Sequence, residues 1–214
     1  MLPQIFKKEN NYDDLINKYA SVNSIDPALL KAIISIESAF YEKSYRYEPH
    51  RNDASYGLTQ LLYQTAKSLG YTGKPTDLYN PENSIKYGAK FLSYLNKQYS
   101  GNLGDIFASY NMGFPRPASQ TTAIIIKLFG KPEPDWKYAN QPYVDKGIAY
   151  YYYYKAKNSG NYALAEEIRQ LIRKGDYKSV ANLSKGSSLL KWLPLIITLV
   201  PFSLFFIFRK KKEN

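Results

Sequence analysis

The sequence predicts an all-α fold: one helical domain followed by a further apolar helix near the C-terminus. Three observations predict it. Asp26-Pro27 and Asn80-Pro81 each pair a capping side chain with a proline suited to the first helical turn, and Gln141-Pro142 resembles them. Gly70, Gly101 and Gly130 stand where helices should stop, and alternating β-branched runs are few. Trp192–Phe208 holds 17 residues without a charge, a composition shift unlike anything before it.

Length and composition narrow the chemistry. The 214 residues suit one domain of roughly 100–200 residues with a modest extra segment. With no cysteine, the chain has no disulfide framework, Cys-ligated zinc, iron–sulfur cluster or thiol nucleophile. A single histidine, His50, argues against His-rich zinc sites, so neither metal nor cofactor is expected. The net charge of +11 calls for an anionic partner. Its cations are scattered singly until Arg209-Lys210-Lys211-Lys212, so no DNA-binding stripe exists and no nucleic-acid partner is expected.

Taken in order, residues 1–11 form an N-terminal tail without the apolar core of an export signal. Residues 12–158 carry the helix signals and form the domain. Within them, Leu30, Ile33, Ile34 and Glu37 follow i, i+3, i+4, i+7 spacing, which sets a carboxylic acid on a buried stripe. Tyr150–Tyr154 must point all round a helix, with core packing expected for at least half of them. Residues 159–188 combine an amphipathic helix, Asn161–Lys174, with a polar Gly/Ser linker. Residues 189–208 are expected to form a transmembrane helix, anchored by Trp192 and the basic tail 209–214. That tail carries four cations and one anion, or +3, leaving +8 ahead of it.

Glu37 is the residue on which chemistry can be hung. Burial should raise its pKa, and so should its place in the last turn of a helix, where the backbone dipole opposes a second negative charge. A carboxyl still protonated near neutrality is what general-acid cleavage of a glycosidic bond needs. On the helix alone, a solvated surface glutamate is the commoner explanation of such a position.

Further segments add a family resemblance. Ile36-Glu37-Ser38-Ala39-Phe40, Ser55-Tyr56-Gly57-Leu58-Thr59-Gln60, Ala108-Ser109-Tyr110-Asn111-Met112-Gly113 and Tyr143-Val144 opening a helix resemble, in order, the four signatures of the soluble lytic transglycosylase family, relatives of goose-type lysozyme. The likeness covers about residues 12–157. It implies a lysozyme-like helical domain with a catalytic groove. It further implies that Glu37 is the sole catalytic acid/base, that Ser38 orients it or the substrate, and that Gln60 contacts the sugar near the scissile bond. Asn111 would bond an N-acetyl group, Tyr110 would shape the groove wall, and Tyr143 would bond the catalytic carboxyl. Two departures stand out: Thr59 replaces the usual methionine, and Gln141-Pro142 replaces a frequent Glu-Thr.

The family reaction cleaves the β-1,4 bond between N-acetylmuramic acid and N-acetylglucosamine of peptidoglycan, leaving a 1,6-anhydro product. Two alternatives stay open: lysozyme-type hydrolysis, for which Asp53 is the candidate second acid, and a non-catalytic wall-binding module. For Asp53, turn formation in Asn52-Asp53-Ala54-Ser55 is the simpler expectation. The expected partners are peptidoglycan strands and a membrane entered by the C-terminal helix, with the catalytic domain on the wall side. A virion or phage-lysis setting would also meet the wall. Oligomeric state is left open.

Overall fold

A computed structural model describes residues 4–180. The main α-helices among them are α1 (Gln4–Lys8), α2 (Asp13–Val22), α3 (Pro27–Ser38), α4 (Tyr63–Ser68), α5 (Pro81–Gln98), α6 (Leu103–Met112), α7 (Ala123–Phe129), α8 (Gln141–Asn158) and α9 (Tyr162–Lys174). Three short strands, β1 (Tyr45–Glu48), β2 (Asp53–Tyr56) and β3 (Leu61–Leu62), make an antiparallel sheet in the order β1-β2-β3.

Helix α3 is the central element. The Asp26 carboxylate accepts the Ala28 N–H at 2.9 Å and Pro27 opens the first turn, so this start is fixed by local chemistry. Ala28, Leu30, Ala32, Ile33 and Ile34 are wholly buried, so the helix is apolar on almost every side because protein surrounds it. It ends where Ala39 and Phe40 adopt left-handed backbone, at φ 50° and 61°. Helix α8 packs beside it, with Ser35 Oγ and the Tyr154 hydroxyl 2.8 Å apart and the Tyr151 hydroxyl donating to Asp26 at 3.1 Å. Tyr150, Tyr153 and Tyr154 are buried in the core, whereas Tyr151 and Tyr152 are half-buried. Helix α9 covers α8 with Ile168 and Ile172, and Val180 beyond it is also buried.

Asparagine caps set the other long helices: Asn80 accepts from Glu82 and Asn83 at the start of α5, Asn102 from Asp105 at α6, and Asn161 from Leu164 at α9. Gly70, Gly101 and Gly130 all have positive φ, as helix-stopping glycines do.

The expected fold class needs correcting in two respects. It is mostly rather than wholly helical, because residues 45–62 form the sheet. Tyr45, Tyr47 and Tyr56 supply strand-forming side chains to it. The expected transmembrane helix is also not part of this fold. Among the described residues no helix is long and apolar enough to cross a membrane. The two longest, α5 and α8, carry charges along their length, including Lys86 and Lys90 in α5 and Lys146 and Lys155 in α8. Residues 189–208, on which that expectation fell, lie outside the described residues.

Candidate active site

Glu37 sits in the last turn of α3 and keeps partial contact with solvent, while protein crowds its carboxyl. Loss of water raises its pKa to about 7, against an ordinary value of 4.5. The nearby Glu48 charge pushes the same way. The Tyr143 hydrogen bond and the cations Arg46 and Lys146 pull back, favouring the ionised form. Burial is therefore the main cause, as the apolar stripe of α3 predicts.

Tyr143 lies in the first turn of α8 and its hydroxyl donates to Glu37 Oε1. Burial first, then the Glu37 charge, pushes the phenol well above its usual pKa, so it stays protonated and can only donate when Glu37 is ionised. Tyr110, on α6, is spent differently. Its hydroxyl donates to the Thr59 carbonyl at 2.9 Å, which ties α6 to the turn after β2.

The other predicted residues are largely occupied inside the protein. Ser38 Oγ is buried and donates to the Ile34 carbonyl at 3.1 Å, one turn back along α3. Gln60 has φ 46° in the turn before β3, and α4 starts only at Tyr63. Its amide nitrogen donates to the Ser44 and Gly57 carbonyls, at 2.9 and 3.0 Å, and its oxygen accepts from Ser55 Oγ at 3.1 Å. Asn111 Oδ1 accepts from Asn140 Nδ2 at 3.1 Å, while its own amide nitrogen has no hydrogen bond among the described residues.

Gly57 makes room for the protein's own chain. At φ 72°, a Cβ there would lie 2.2 Å from the Leu78 carbonyl oxygen, so it is the protein's own backbone that needs the space. Thr59, the departure from the family pattern, is wholly buried. Its hydroxyl bonds Ser84 and its methyl packs against Gly88, so the side chain is turned inward, away from solvent.

Asp53 opens β2 rather than a turn, and is buried. One carboxylate oxygen accepts the Ala54 N–H at 2.7 Å and the other the Gln64 N–H at 3.0 Å, in the first turn of α4. Both oxygens hold backbone. His50 is exposed in the Pro49–Arg51 turn.

Sequence reasoning missed the charges around Glu37. Arg46 and Glu48 alternate with tyrosines on β1 and bond each other, Arg46 Nε to Glu48 Oε1 at 2.5 Å. Lys146 follows Tyr143 by three residues on α8, hence on the same helical face. Burial lowers the Lys146 pKa and the Glu37 charge opposes that shift. Helical spacing from Tyr143 was the available signal for Lys146. For Arg46 and Glu48 the signal was the Tyr45-Arg46-Tyr47-Glu48 alternation, only four residues long.

The profile of the transglycosylase SLT domain family matches residues 14–122. Membrane-bound lytic murein transglycosylase C of Yersinia pestis (strain Pestoides F) is 32% identical over 121 residues, covering 50% of this chain and 32% of the relative. The protein of the same name from Yersinia pseudotuberculosis serotype O:1b gives the same figures. The matched part of this chain thus spans about a third of those relatives' length. A solved complex of a 70-kDa soluble lytic transglycosylase with bulgecin A is 26% identical, with a TM-score of 0.50, covering 68% of this chain and 24% of that one. An inactive glutamate-to-glutamine mutant of lytic transglycosylase Slt from Pseudomonas aeruginosa is 20% identical, with a TM-score of 0.52, covering 69% and 24%. At that identity it shows a shared fold.

Proposed function

Because the chain belongs to the transglycosylase SLT domain family, we propose that it is a peptidoglycan lytic transglycosylase with Glu37 as its one acid/base. The observation that carries this is a carboxyl whose pKa is raised to about 7 while a phenol holds one of its oxygens. A group poised there can give a proton and take one back at neutral pH without a large penalty in either state.

Glu37 protonates the oxygen leaving C1 of N-acetylmuramic acid, and positive charge develops at C1, shared with the neighbouring N-acetyl group. The carboxylate, held by Tyr143 and favoured by Arg46 and Lys146, then takes the proton of the same sugar's C6 hydroxyl. That oxygen attacks C1 and closes the 1,6-anhydro ring. One carboxylate suffices because acid and base steps follow each other, whereas two-carboxylate glycosidases divide them between residues.

The other side chains have narrower roles. Asn111 offers its free amide nitrogen to an N-acetyl carbonyl, which supports a binding role for it. Tyr110, Ser38 and Gln60 hold the groove walls through the internal bonds they make, and Asp53 holds α4. The relatives are named for murein, the wall polymer, and we assign the reaction to the wall side of the cell.

Digestion of purified peptidoglycan with mass spectrometry of the fragments tests this. Anhydro-muropeptides are expected from the parent and none from Glu37→Gln. Reducing-end products instead would establish lysozyme-type hydrolysis, and binding without cleavage would establish a wall-binding module.

A further inference from the structure

The β1–β2 hairpin is a single layer, and strand alternation divides its side chains between two faces. Arg46 and Glu48, whose charges act on Glu37, share one face with their register partners Ser55 and Asp53. Tyr45 and Tyr47 take the other, with Tyr56 directly across from Tyr45. There the rings form a file: Tyr45 and Tyr56 have centroids 5.3 Å apart at 62°, and Tyr56 and Tyr79 5.6 Å apart at 67°. The Lys43 ammonium lies 5.5 Å from the centre of the Tyr79 ring.

The proposed reaction uses nothing on this face. Tyr45 and Tyr47 nevertheless leave 54% and 52% of their surface in solvent, on a strand at the edge of its sheet. Of the nine large apolar side chains exposed among the described residues, three (Tyr41, Tyr45 and Tyr47) fall within seven consecutive positions. Concentrated exposure of that kind on an edge strand invites association, so a function is its simplest explanation.

We propose, resting on the wall function argued above, that this outer face of the hairpin is a second glycan-binding surface for insoluble peptidoglycan. Sugar rings present flat C–H faces that pack on aromatic rings, and tyrosine adds a hydroxyl for the sugar's own hydroxyls. Tyr45 and Tyr47, two residues apart on one strand face, are separated by about 6.6–6.8 Å along the strand, which offers consecutive contacts along a chain of sugars. Charge selects the polymer. Lys43 beside the rings and the net +8 ahead of the basic tail suit the carboxylates of the stem peptides that a neutral glycan lacks. Because the opposite face of the same hairpin carries Arg46 and Glu48 beside Glu37, the surface would hold the enzyme to the wall next to the strand being cut.

The test combines Tyr45→Ala with Tyr47→Ala in the full chain. Sedimentation with insoluble peptidoglycan is measured in a Glu37→Gln background, and turnover of a short soluble glycan fragment in the active background. Affinity for insoluble wall should fall about tenfold while turnover of the fragment holds within about twofold, and the Tyr45→Phe, Tyr47→Phe pair should keep wall affinity. Unchanged sedimentation of the alanine variant overturns the proposal. So does an equal loss on the soluble fragment, which would mean that the rings serve the groove, and so does a dimer of the parent that the alanine variant dissolves, which would make the occupant a second copy. If the parent binds wall through these rings yet cuts nothing, the wall-cutting function fails and this surface stands.

Discussion

The Tyr143 hydroxyl donates a hydrogen bond to Oε1 of Glu37, joining residues 106 positions apart in sequence. That bond favours the carboxylate and so opposes the burial that raises the Glu37 pKa. Tyr143→Phe should therefore move the alkaline limb of the pH–rate profile upward and cut turnover at neutral pH about tenfold. A profile of reduced height with its limb in place would show that the phenol does not act on the Glu37 proton.

Lys146→Met should move the same limb upward, because its cation also favours ionised Glu37. Since Lys146 makes no hydrogen bond to Glu37 among the described residues, the change should appear in pH dependence more than in maximal turnover. A fall in turnover as large as that of Tyr143→Phe, without a shift, would contradict this.

The raised Glu37 pKa has a cost in stability with a definite sign. A carboxyl at about 7 in the folded chain and 4.5 as its ordinary value binds more protons folded than unfolded between those pH values. Its contribution is fully present below about 4.5 and is lost as pH rises through about 7, so stability falls with pH across that window. Glu37→Gln should match the parent near pH 4 and exceed it by on the order of 3 kcal/mol near pH 8, less whatever the lost bond from Tyr143 is worth. Urea melts at the two pH values would decide it, and an equal difference at both would sink the claim.

Asp53→Asn separates support from chemistry. Losing charge on a side chain that accepts two backbone N–H groups should cost about 1–2 kcal/mol in denaturant unfolding. The ratio of anhydro to reducing products should not change. A shift toward reducing or anhydro products at full stability would give Asp53 a place in positioning water.

Gly57→Ala should be worse than any of these for the fold. It places a Cβ against the Leu78 carbonyl at a left-handed φ, so a loss of about 2–4 kcal/mol and of activity is expected. Thermal unfolding within a few degrees of the parent would show that the turn relaxes freely.

Much of this was legible in advance. The Asp26-Pro27 and Asn80-Pro81 starts are local chemistry, and α3 and α5 begin there. The buried stripe of α3 foretold the direction of the Glu37 shift, because burial depends on period alone. What failed to show was whatever depends on partners distant in sequence. Gln60 and Tyr110 have side chains suited to a sugar, and only the fold reveals that Ser44 and Thr59 have already claimed them. The hairpin escaped notice because its strands are four residues long and its connecting turn contains proline.

Tyr143 on Glu37, Tyr154 on Ser35 and Tyr151 on Asp26 fasten α8 to α3 at three places, and only the first touches the reacting carboxyl. Packing and catalysis are consequently written into the same pair of helices. A mutation that slid one helix against the other by a fraction of a turn could leave the chain folded and still pull the phenol off the acid. Selection on the rate thus polices the core, and interior substitutions that another protein would absorb silently should surface here as lost turnover.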